Sequence, residues 1–219
     1  FIPSSVKYVG ANAFQNCSSL TIRYEDAEIS TKWESSWNSS NCPVVFNYYE
    51  EYTDTNGVKY NLYPDGSAIV TGYTGTATEL TLSLDGYTVK KIADGAFQNN
   101  GTLTKVTFVS GLVEIGANAF SGCYNLVEIV LPEGLEKIGE NAFNECQRLT
   151  TITATGEASQ ILRASTVTPI KNFPSTLKQI GFRAFYGCNS LKVVFIPSTL
   201  QELRSDAFYG YENLIVYAQ

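Results

Sequence analysis

The side chains that could do chemistry in this chain form a lopsided set. There are five cysteines and no histidine. The missing histidine removes the usual general base, the usual zinc ligand and the usual pH switch together. No Cys-x-x-Cys pair occurs either, so no metal ligands and no cofactor are expected. A serine or cysteine nucleophile needs a base beside it, and pairing with histidine is impossible here. A Ser-Lys pair leaves no trace in sequence. Carboxylates such as Glu133 and Glu136 can be drawn as an acid/base pair, but charges at such positions read as a solvated face. The expectation is a protein that is not an enzyme and has no catalytic residues.

Two stretches carry the residue types of calcium loops, Asp54-x-Asn56-Gly57 and Asp65-Gly66. Neither continues to the terminal glutamate of an EF-hand, and both read as turns. Sequons begin at Asn16, Asn38 and Asn100, and they matter only in a secreting eukaryote.

Bulk properties narrow the class further. The formal charge is −6 with no Lys/Arg cluster, so phosphate counterion release has little to work with and no nucleic-acid partner is expected. The same acidity argues against an anionic membrane surface. No run approaches the roughly 18–20 apolar residues of a membrane helix, and no direct membrane insertion is expected. The opening FIPSSVKYVG has neither a basic n-region nor an apolar h-region, so it does not read as a signal peptide. A secreted chain whose leader had been removed would read the same way.

The elements that position these side chains come from an internal repeat. Ala-Phe occurs six times, with its phenylalanine at 14, 97, 120, 143, 185 and 208. The steps from 97 to 120, 120 to 143 and 185 to 208 are each 23 residues, and the step from 143 to 185 is 42. On this anchor 103–125 reads LTKVTFVSGLVEIGANAFSGCYN, and 126–148 reads LVEIVLPEGLEKIGENAFNECQR. Leu126, Ile129 and Leu131 alternate along a short strand and point inward. Pro132 and Pro197 end the strand because they bring no N–H to the ladder. Gly116, Gly139 and Gly181 mark a corner where a Cβ would clash or φ is positive.

The stretch around Asn118-Ala119-Phe120 reads as one helical turn whose phenylalanine plugs the core. Two residues later Asn16, Asn99, Gly122, Gly187 and Gly210 suit the left-handed conformation, with Glu145 the exception. Cys17, Cys123, Cys146 and Cys188 stand three residues after the anchor, and the column reads as small buried ladder residues. Cys42 stands apart. A Cys17–Cys42 disulfide is left open by the sequence alone, and five cysteines cannot all pair within one chain.

A unit of this length cannot bury its own apolar face, whereas stacked units can. The fold class expected is therefore an α/β repeat solenoid, a right-handed superhelix of 23-residue repeats with a parallel β-sheet on one face. From Asp54 to Gly75 the chain alternates like two strands joined at Pro64-Asp65-Gly66, a hairpin cap.

The pattern L-x-x-I-x-I-P-x-x-L-x-x-I-G-x-x-A-F-x-x-C resembles the BspA-like leucine-rich repeats, best known from surface and secreted proteins of gut and oral bacteria and from some parasitic protists. The resemblance covers residues 1–23 and 89–219. It implies that 20–49, with Trp33 and Trp37, is the closing cap of one array, and that the hairpin opens a second. Residues 1–50 are then the last repeat and cap of a first array. Residues 51–219 hold the hairpin cap, a divergent repeat from Val89 and four further turns. The chain starts mid-repeat and stops on a bare strand, which reads as a piece of a longer protein.

In the strand L-x-x-I-x-I the third and fifth residues face away from the core. They make a candidate binding strip of Lys105, Thr107, Glu128, Val130, Thr151, Thr153, Val193, Phe195 and Val216. The strip turns apolar toward its end, where Val193, Phe195 and Val216 form a patch that either meets a protein or lies under the next repeat or the 154–172 insertion. The expected partner is a protein of a host or neighbouring cell, met outside the cell or on its surface. A glycan is the alternative, on the strength of Tyr124, Tyr186 and Tyr209 near successive turns, and a purely structural spacer is a third reading. The tyrosines decide the glycan reading: buried rings would end it.

Overall fold

A computed structural model describes residues 1–3, 5–24, 29–45, 49–155, 173–211 and 214–218. At the start, β1 (Ile22–Arg23) pairs in parallel with β2 (Val44–Val45), and Ile2 bridges Tyr24. Trp33 lies 4.9 Å from both Tyr24 and Trp37, and Trp37 meets Phe14 edge-on at 5.9 Å. These rings, with Ile2, Ile22 and Cys42, form a core of their own.

A three-stranded meander follows: β3 (Glu50–Thr53), β4 (Val58–Leu62) and β5 (Ser67–Tyr73). The hairpin expected at Pro64-Asp65-Gly66 is present, and β3 adds a strand the sequence reading did not contain. Both acidic turns are turns. Asp54 Oδ1 accepts from the amides of Asn56 and Val58 at 2.9 and 2.8 Å, and Asp65 Oδ1 accepts from Ser67 N at 2.7 Å.

The solenoid then winds through paired strands. Its first sheet holds β6 (Glu79–Leu82), β8 (Lys105–Phe108), β10 (Glu128–Leu131) and β12 (Thr151–Ala154), all parallel. Its second sheet runs β7 (Thr88–Ile92), β9 (Glu114–Ile115), β11 (Lys137–Ile138), β13 (Gln179–Ile180) and β15 (Glu202–Leu203). The meander joins this second sheet, β5 lying parallel to β7, and so covers its first edge. A separate parallel pair, β14 (Val193–Ile196) and β16 (Ile215–Ala218), carries the first sheet's column onward. Of the 154–172 insertion, residues 156–172 lie outside the described residues.

The α in the expected fold class is a correction. The described residues contain no helix, and the molecule is a β-solenoid. The reason sits in the Ala-Phe turn. Two residues before the phenylalanine φ is positive at Asn12, Gly95, Asn118, Asn141, Arg183 and Asp206, and two residues after it at Asn16, Asn99, Gly122, Glu145, Gly187 and Gly210. A left-handed residue on either side of each phenylalanine is incompatible with a right-handed helix. The amides therefore bond along the solenoid axis: Phe97 N to Ala119 O at 2.8 Å, Phe120 N to Ala142 O at 2.7 Å, and Phe143 N to Ala184 O at 2.8 Å. Glu145 is no exception, for it takes the same conformation as its column, with φ +58°.

Inside, Phe97, Phe120, Phe143, Phe185 and Phe208 stack in sequence at 4.7, 5.2, 5.2 and 5.3 Å between centroids, within 9° of parallel. Beside them runs the cysteine column. Cys123 Sγ–H donates to Phe97 O, Cys146 to Phe120 O and Cys188 to Phe143 O, at 3.1, 3.2 and 3.1 Å. Tyr211 takes the same place one turn on, its hydroxyl donating to Phe185 O at 2.8 Å. Each of these carbonyls already accepts the amide three residues on, as Phe120 O does from Cys123 N at 3.1 Å, so the thiol supplies its second hydrogen bond.

Burial pushes the Cys123 thiol up to about 12, and it raises Cys146 well above the usual range. Cys17 and Cys42 are unpaired, with Cys42 Sγ–H donating to Cys17 O at 3.0 Å, and Cys17 alone of the five is exposed. At pH 8 a disulfide reagent is therefore expected to titrate one thiol in the folded chain and all five in denaturant. Rapid reaction of a third thiol under native conditions would show that the column is open, since only Cys17 and Cys42 lie outside its buried part.

Candidate binding surface

The outward residues of the first sheet fall into two straight rows. Glu79, Lys105, Glu128 and Thr151 pair across β6, β8, β10 and β12, and so do Thr81, Thr107, Val130 and Thr153. Between them Leu80, Val106, Ile129 and Ile152 point inward and are buried. This is the period-two alternation of a sheet with one solvated face. Glu79 and Thr81 are exposed, and the other six residues of the rows are half-buried.

Lys105 Nζ sits 2.9 Å from Glu128, and that hydrogen bond, reinforced by the charge of Glu79, raises its pKa. The ion pair joins β8 to β10 on the surface and leaves Glu79 as the end of an acidic–basic–acidic row. The second sheet also pairs its charges internally. Glu114 accepts from Lys137 at 3.1 Å and Lys91 at 3.3 Å. Partial burial works to raise its pKa, and the two lysines outweigh it, so the net shift is downward.

Glu79 and Thr81 were missed in the sequence because their turn lacks the leading leucine, Ala77 standing in its place. The alternation Glu79-Leu80-Thr81-Leu82 was the available signal. The solenoid therefore starts about ten residues before Val89.

Val193 and Phe195 lie where expected, outward on β14 and half-buried. Val216 does not. The final ladder pairs Val194 with Val216 and Phe195 with Tyr217, so Val216 falls in the column of Val194, though still 49% exposed, and Tyr217 stacks on Phe195 at 4.9 Å. A one-residue slip moves every side chain to the other face, and it costs most where both faces have neighbours. β16 is paired on one side only, and the Phe195–Tyr217 stack rewards the slipped register. The apolar patch is Val193, Phe195, Ile215 and Tyr217, the last two 52% and 49% exposed. Among the described residues no backbone ladder joins β12 to β14, so the patch is not hydrogen-bonded to the strands of the two rows.

The tyrosines of the glycan reading are on the surface. Tyr124 and Tyr209 are 52% and 61% exposed, and Tyr186 stacks on Tyr209 at 5.6 Å with the Arg183 guanidinium 5.0 Å from its centroid. Among the described residues no cluster of three or more His, Cys, Asp and Glu could hold a metal ion.

Comparison with known proteins agrees with this architecture. A model of the BspA type leucine-rich repeat region matches in six copies, over residues 1–42, 76–165 and 164–217. No curated protein matches. Among solved structures, the leucine-rich repeat protein of T. pallidum superposes with TM-score 0.60 at 33% identity, over 71% of this chain and 65% of that one. A leucine-rich repeat protein from Bacteroides ovatus gives 0.61 at 26% identity, over 78% of this chain and 41% of that one. The chain thus spans less than two thirds of either protein. The match at 76 also agrees with β6 as the first strand of the array. With the family's repeat found along most of its length and the ladder of anchor phenylalanines stacked in its core, the chain belongs to the BspA-type leucine-rich repeat family.

Proposed function

We propose that this chain is a non-catalytic, extracellular or surface-attached binding module, adhesin-like, that engages a protein of a host or neighbouring cell through the rows on β6 to β12. The observation that carries the reading is the pair of rows itself. A parallel ladder with a stacked aromatic core holds eight outward side chains at fixed spacing, so little ordering entropy is lost on binding. Four threonines and one valine beside the Glu79 carboxylate and the Lys105–Glu128 ion pair give a mixed, flat surface suited to another protein's surface rather than to a small molecule. The extracellular placement rests on the family, which is best known from surface and secreted proteins.

The test is binding of the purified chain to a panel of mucins, matrix proteins and glycans, beside a Thr107→Lys, Thr153→Lys variant. Both positions are half-buried on the outward face, so the fold should tolerate them. Loss of at least about tenfold in affinity for a protein ligand, at unchanged melting temperature, is expected. Equal binding by both forms would remove the strip from the function. A second reading is favoured by one specific observation, the exposure of Tyr124 and Tyr209. Binding confined to glycans and lost in Tyr209→Ala would move the function to the turn side of the solenoid.

A further inference from the structure

The first turn of the solenoid meets the meander in an open groove of about 420 Å³. It is lined by Tyr52, Leu62, Ser83, Leu84, Asp85 and Tyr87. Three elements build it. Tyr52 comes from β3, Leu62 from β4, and the rest from the turn after β6, closed by Tyr87 N to Leu84 O at 3.1 Å with Gly86 at φ +80°.

The groove continues the outward row of β6. Glu79, Thr81 and Ser83 follow at alternate positions and are all exposed. None of Tyr52, Ser83, Asp85 and Tyr87 uses a side-chain polar atom in a hydrogen bond within the described residues. This contrasts with Asp54 and Asp65, whose carboxylates hold their own turns.

Charge identifies the occupant. From 50 to 91 the chain carries Glu50, Glu51, Asp54, Asp65, Glu79 and Asp85 against Lys59, Lys90 and Lys91, and Asp85 is the charged residue that lines the groove. That is six acids and three bases, a difference of −3 in a chain whose total is −6. We infer that the groove receives a lysine or arginine side chain from a basic, extended segment of the partner protein, with the remainder of that segment lying along the rows. The alkyl stem packs on Leu62, Leu84 and the tyrosine rings, while the cation meets the Asp85 carboxylate and the ring faces. A neutral sugar would use the rings but would leave the charge of the Asp85 carboxylate unanswered.

The inference rests on the rows being a protein-binding face, but its test does not require the natural partner. An octapeptide of alternating lysine and serine is titrated into the full chain by calorimetry, beside its glutamate–serine counterpart and a neutral oligosaccharide. Only the lysine peptide is expected to bind, more weakly as salt is raised. Asp85→Asn and Tyr52→Ala should each weaken it about fivefold, both sites being exposed. Glu140→Gln, an exposed carboxylate in the third turn of the array, should change it less than about twofold.

If Glu140→Gln weakens binding as much as Asp85→Asn does, the attraction is diffuse and the groove is not the site. Equal binding of the oligosaccharide, or an unaltered affinity in Asp85→Asn, overturns the inference as well. Failure here with a protein still captured on the rows would refute the groove alone. Loss of that capture in the Thr107→Lys, Thr153→Lys variant with the lysine peptide still bound would keep both.

Discussion

Phe120→Ala is expected to lower the unfolding free energy by about 3–5 kcal/mol, the range for removing a buried ring from a core that cannot fully collapse. Phe120 is wholly buried. It stacks on Phe97 at 4.7 Å and Phe143 at 5.2 Å, and it meets Phe108 edge-on at 5.8 Å. One substitution thus breaks three ring contacts and leaves a void bounded by two neighbouring turns. Those turns are held apart by their own ladder hydrogen bonds, so relaxation is limited. The change should appear as a lower urea midpoint with little change in slope. A midpoint equal to wild type would show that the ladder does not carry the core.

Gly139→Val should be comparably damaging, for the opposite reason. A Cβ at Gly139 would come within 2.7 Å of Ala117 N and of the Gly116 carbonyl carbon. At Gly181 the same construction meets Glu140 N and the Gly139 carbonyl carbon at 2.6 Å. The obstacles are backbone atoms of the preceding turn, so no rotamer change can relieve them. Of the two readings the sequence allowed for this column, close approach is the right one, since φ is not positive there. Overpacking costs about 1–3 kcal/mol or more, and a β-branched side chain against fixed backbone belongs at the upper end. Gly66→Val is the comparison. Its Cβ meets nothing within 4 Å, and only its φ of +83° is strained. If both variants melt together, the glycine column is not a contact between turns.

What was legible in the sequence followed from what every turn must repeat. Leu126, Ile129, Leu131, Phe143 and Cys146 recur because each turn buries the same face, so a fixed spacing gave the strands and core before any coordinates. The turn around Asn118 was misread because Asn-Ala-Phe has the composition of a helix start. The true signal was asparagine or glycine on both sides of the phenylalanine, and Arg183 and Asp206 obscure it. β6 was hidden by Ala77. The position of Val216 was decided by a ring stack between Phe195 and Tyr217, which no column alignment contains. The groove could not have been read at all, because Tyr52, Leu62 and Asp85 converge only when the meander pairs with the solenoid.

The uniform ring-on-ring and backbone-to-backbone contacts between turns have a consequence for inheritance. Each turn offers its successor the same shape that it receives from its predecessor. Recombination between similar coding segments can therefore add or drop one whole turn, and every remaining turn still finds a fitting neighbour. The cap and the rows nearest to it stay unchanged while the reach of the array lengthens or shortens. Length becomes a trait that lineages can vary without reinventing the protein.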